Sequence, residues 1–159
     1  MKTAEKIIIA GIVGTTFMTL YSYLKAKKEN QEYVEPIMIN KLIDNSKNLP
    51  SIRDEDIHPA GWVLHYLTGV SFVTLYWLLW KKCLKKPTIA KIIIVGSLSG
   101  LAGIMVWKAL FTQHNRPPHN YRHGYYRQLF IAHIVFSYFA LTTYKTFDNK
   151  LKSIATINV

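Results

Sequence analysis

Four stretches of this chain, residues 7–24, 59–80, 92–111 and 125–144, are each close to the roughly 20 apolar residues that a helix needs to cross a bilayer. The first has no charge and is flanked by Lys6 and by Lys25, Lys27 and Lys28. The second stops at Lys81 and Lys82, and the third is interrupted only by Lys108 near its end. The fourth has Arg127 and Gln128 in its first turn and Lys145 just beyond it. Runs this continuous do not alternate as barrel strands do, and hydrocarbon gives a backbone no outside partner, so helices are expected. The predicted fold is an all-α integral membrane protein, a compact bundle of four transmembrane helices making one domain over residues 1–159.

Charge supports this. Only 18% of the residues are charged, against about 25% in soluble domains. A soluble enzyme, a disordered tail and a nucleic-acid-binding module are excluded. The first stretch resembles a signal peptide at its start, with Lys2 and Lys6 ahead of an apolar run. It lacks a small-x-small cleavage site and ends in Tyr21, Tyr23 and Leu24, so a retained helix is expected. The single cysteine, Cys83, cannot form an internal disulfide and reads as an incidental thiol.

Four spans put both termini on one side with the loop 81–91. Lys and Arg are nearly balanced between the two sides, but Lys81, Lys82, Lys85, Lys86 and Lys91 crowd that short loop, and Lys2, Lys6, Lys145, Lys150 and Lys152 share its side. By the positive-inside rule both termini are expected in the cytoplasm, in a bacterial inner membrane. Trp62, Trp107, Tyr125 and Tyr126 are expected at one membrane rim, and Tyr76, Trp77, Trp80 and Tyr144 at the other. The connection 25–58 offers Ile37, Met38, Leu42 and Ile43 at helical spacing, which predicts a short interfacial helix lying on the membrane. Asp54, Glu55 and Asp56 precede Pro59 and read as acids favoured at a helix N-terminus.

Gly96, Gly100 and Gly103 share one face of the third span, and Gly11 and Gly14 give the first a smaller version. Small residues let helices approach closely where lipid supplies no hydrophobic drive, so these stripes are packing devices.

The histidines are the informative anomaly. His58, His65, His114, His119, His123 and His133 all fall on the side opposite the termini. His65 and His133 lie roughly 9 Å and 12 Å below the starts of the second and fourth spans, which run in the same direction. Ionisable groups inside spans face the bundle interior or a partner, and neutral imidazole is the commonest metal ligand. The pair is therefore expected to meet inside the bundle, as hydrogen-bonded packing residues, as ligands of haem b or of a transition metal ion, or in a proton-handling or polar-cavity role. The six histidines together form the wider set of candidate metal ligands, although the loop spacings match no strict motif.

Arg116, Arg122 and Arg127 lie on the same side, placed to pair with haem propionates or with an anion or lipid headgroup. Lys108 followed by Arg116 and Pro117 approaches the first motif of phosphohistidine-using membrane phosphatases. The spacing is one residue too long and no downstream Ser-Gly-His follows, so hydrolysis is not expected. Three functions remain: a histidine metal or haem site acting in electron transfer or metal handling; a non-catalytic accessory or scaffold subunit, partnered by other membrane subunits or by a second copy; and lipid or small-molecule binding between helices. The lipid bilayer is a partner in all three, nucleic acid in none.

Overall fold

The computed structural model describes residues 2–157, with side chains through residue 149. Lys150 and Lys152, counted above toward orientation, lie outside the described side chains. The described residues form five helices and no strand: α1 (Thr3–Glu29), α2 (Glu35–Asp44), α3 (Pro59–Lys85), α4 (Ile89–Gln113) and α5 (Arg122–Ile157). Three of them, α1, α3 and α4, are long and apolar enough to cross a membrane.

The helices begin and end where local chemistry dictates. α1 stops at Asn30, whose φ of 50° closes the helix by returning its N–H to Ala26 O, beyond Lys27 and Lys28 in the last turn. Cations there oppose the negative end of the helix dipole. His58 caps α3, its Nδ1 accepting from Ala60 N, and Pro59 follows with a φ suited to a first turn. Asp54, Glu55 and Asp56 therefore sit in the turn before the cap, and the first turn of α3 holds no acid. The helix continues past Trp80 through a non-helical kink there, so most of the expected loop 81–91 is helical. Thr88 caps α4 by accepting from Lys91 N, and Pro117 and Pro118 keep the chain extended between α4 and α5.

α5 is the hub. It packs along α1 and α4, while α3 leans on α1 and α2 rests on α3. Leu129, Ala132, Ala140 and Leu141 of α5 are wholly buried, as are Ala10 of α1 and Val73 of α3. Glycine sets the approach distances. A Cβ on Gly11 would stand 2.7 Å from Val70 Cα, and one on Gly96 2.7 Å from Ile134 Cα. Here the neighbour is backbone, so the helices themselves would have to separate, which is the packing role expected of these stripes. At the far end a buried ion pair, Lys6 Nζ to Asp148 Oδ1 at 2.7 Å, joins the first turn of α1 to α5.

Two expectations need correction. The helix in the first connection exists, but Met38, Asn40 and Leu42 are buried against protein. Asn40 Oδ1 accepts from Gly61 N at 2.7 Å, and its Nδ2 donates to Glu55 O and His58 O, which fixes α2 to the start of α3. Asp44 then anchors the following loop, accepting from Ile52 N and Ser51 Oγ, bonds that hold its carboxyl below the usual range. The aromatic rims also differ. Trp107 and Tyr125 are buried in a cluster with Phe111, ring centroids 5.2–5.8 Å apart, and Tyr76 and Tyr144 are buried too. Their helical phase turns them inward, which hydropathy along the chain does not register.

Candidate functional site

A cavity of about 230 Å³ lies between the helices, walled by Thr15 and Met18 of α1, Glu35 and Ile39 of α2, Phe72 of α3, Trp107 of α4 and Phe136 of α5. Gly69 of α3 and Gly103 of α4 also line it, single positions at which the wall is backbone. His65 and His133 both open onto it, which brings the expected pair to one space.

Their protonation is fixed by their partners. His133 Nδ1 lies 2.8 Å from Leu129 O, and a carbonyl only accepts, so Nδ1 carries the proton and Nε2 is left with a lone pair. The ring is held edge-on by Phe72, centroids 5.6 Å apart, and a Cβ on Gly103 would stand 2.7 Å from His133 Cε1. His65 Nε2 lies 2.9 Å from Thr19 Oγ1, whose single proton goes to Thr15 O at 2.8 Å. Thr19 therefore accepts, Nε2 donates, and Nδ1 of His65 keeps its lone pair. Each imidazole thus has one nitrogen tied to protein and one nitrogen that keeps its lone pair without a protein partner among the described residues.

Glu35 supplies the third polar group, and sequence reasoning missed it. Its Oε1 accepts from Ser22 Oγ at 2.8 Å and from Gln128 Nε2 at 3.3 Å; Oε2 is buried with no partner. No cation lies in ion-pairing range among the described residues. Burial without a countercharge pushes the carboxyl up to about 8. In the sequence Glu35 is one acid in a mixed-charge run, marked only by Pro36 as a helix start. Ser22 and Gln128, polar positions inside apolar runs, were the stronger signals that something polar faces them.

The other histidines do not converge. His58 Nδ1 caps α3. His114 has both nitrogens engaged, Nδ1 accepting from Arg116 N and Nε2 donating to Leu42 O at 2.9 Å. His119 and His123 are exposed. Among the described residues no group of three or more His, Cys, Asp or Glu side chains is placed to hold a metal ion. The arginines also part company: Arg122 stacks on Phe111 and donates to Pro118 O, Arg127 lies 3.7 Å from Glu29, and Arg116 is exposed. They form no common anion site. Cys83 is wholly buried.

Haem does not fit. Drug-sized ligands occupy about 300–1,000 Å³, and a porphyrin is larger than most of them, whereas this cavity offers about 230 Å³. The walls suit a smaller, mainly apolar molecule.

Comparison with known proteins gives no lead: no family model, no curated protein and no solved structure matches the chain.

Proposed function

We propose that this chain is an integral membrane protein of four spans, α1, α3, α4 and α5, that binds a small, mainly apolar molecule inside its bundle. Supporting the membrane setting, only 17% and 22% of the most apolar windows of α3 and α4 is buried within the protein. Leu64, Leu67, Leu78, Leu79, Leu98 and Met105 are exposed on their outer faces, an extent of apolar surface that water does not tolerate and lipid does. α5 is less apolar because protein covers it, and Gln128 and His133 meet protein rather than lipid. Both termini lie in the cytoplasm, as the lysines of residues 81–91 direct.

The observation that carries the binding role is that His65 and His133, each keeping one imidazole lone pair free of the protein bonds above, both line one largely apolar cavity. Such groups orient a ligand by accepting its hydrogen bonds, while the apolar walls supply affinity. Calorimetry of the detergent-purified protein with phenol and with anisole tests this. Phenol binds at least about tenfold tighter, because a hydroxyl satisfies a buried acceptor that a methoxy group leaves unpaired. Replacing His65 and His133 with Leu removes that difference. Equal binding of the two, or none, refutes the reading.

A transition metal held by the two imidazoles is the second reading, favoured by their fixed tautomers, since ligating histidines commonly donate their other N–H to a carbonyl. Metal analysis separates the two. About one copper, zinc or iron per chain, lost in a His65→Ala, His133→Ala double variant, selects it over the organic ligand.

A further inference from the structure

We propose that the natural occupant of this cavity is a small organic cation carrying N–H donors, such as an ammonium, amidinium or guanidinium, which binds Glu35 as carboxylate and displaces its proton. The proposal rests on the cavity being a binding site, and it assigns the ligand's charge and chemistry.

The polar groups on the wall share one character. His65 Nδ1 and His133 Nε2 are acceptors because their partner nitrogens hold the protons. Glu35 brings a carboxyl whose Oε2 has no protein partner and whose charge has no protein counterion among the described residues. An ionised carboxyl in such a place is expensive unless a cation joins it. Phe72, Trp107 and Phe136 add aromatic walls, whose faces attract cations. A neutral phenol satisfies one imidazole; an amidinium satisfies the carboxylate and still has N–H groups for the imidazoles.

The exchange balances. Protonated Glu35 releases H⁺ to solvent as the cation enters, leaving carboxylate and cation paired and the cavity neutral in both states. The titratable groups around Glu35 are His65 of α3 and His133 of α5, which share the cavity, and Tyr125 of α5, which Glu35 influences electrostatically. α1 contributes Ser22, which has no charge. None of these supplies a permanent positive charge to replace the ligand's. Burial keeps Glu35 protonated up to about pH 8, so proton and cation compete through the neutral range.

Benzamidine, which stays charged across that range, is the probe, with phenol as the neutral comparison, both titrated into the full-length protein in detergent. Benzamidine affinity rises up to about tenfold per pH unit from about pH 6 and levels off above about pH 8, the signature of one displaced proton. In wild-type protein at about pH 7, calorimetry in buffers of different ionisation heat registers close to one proton released per benzamidine bound. Glu35→Gln loses both the pH dependence and at least about tenfold in benzamidine affinity while still binding phenol. If phenol binds but benzamidine does not, or binds without releasing a proton, the cation assignment is overturned and the cavity remains a binding site. If neither binds, both readings fall.

Discussion

Replacing Glu35 with Gln removes a penalty whose size follows from the carboxyl's surroundings. Unfolded, the group titrates at its ordinary value of 4.5; folded, burial holds it at about 8. Below about pH 4.5 it is protonated in both states and costs nothing. As pH rises toward 8 the unfolded chain ionises and the folded one does not, so stability falls with pH and levels off above the folded value. At about 1.4 kcal/mol per pH unit the accumulated loss comes to about 5 kcal/mol. Glutamine keeps an oxygen to accept from Ser22 and Gln128 but has nothing to ionise, so the variant lacks the slope. The assay is denaturant unfolding of both proteins in the same detergent at about pH 5 and about pH 9. Wild type loses about 4 kcal/mol relative to Glu35→Gln between these conditions. If the gap between the two proteins is unchanged from one pH to the other, Glu35 is not the uncompensated buried acid described here.

Three further substitutions probe the frame. Gly96→Ala places a methyl 2.7 Å from Ile134 Cα and costs about 1–3 kcal/mol, read as a lowered unfolding midpoint. Asn40→Ala leaves Gly61 N unpaired in the core, costs about 2–4 kcal/mol, and speeds protease cleavage in residues 45–58. Lys6→Met breaks the buried ion pair that ties the first turn of α1 to α5 and lowers the unfolding midpoint.

The helices were legible because a long apolar run leaves the backbone few options, and the glycine stripes because spacing alone places them on one face. His65 and His133 were legible for a related reason: an imidazole in an apolar run has to face inward. Glu35 was not, since its surroundings come from Ser22, 13 residues before it, and Gln128, 93 after it. A local reading sees an acid in a polar connection. The rim assignment of Trp107 and Tyr125 failed similarly, because hydropathy reports depth along a helix and not which way a ring turns. Residues 37–43 showed their helical period, but not that Asn40 would find three backbone partners and draw α2 onto α3.

The hub position of α5 has a consequence for biogenesis. Consecutive helices are usually neighbours, yet α3 and α4 barely touch, and α1 and α4 both take α5 as their main partner. A ribosome making this chain therefore delivers α4 well before the surface that receives it exists. Until residues 122–149 emerge, Gly14 of α1 and the glycine face of α4 lack their mates, and the cavity has neither His133 nor Phe136. Consolidation waits for the last helix, and nascent chains halted before it are substrates for quality control. The same connectivity makes the α4–α5 loop a natural place to divide the chain. A fragment ending near residue 117 and a second carrying α5, produced together, have the complementary surfaces to reassemble.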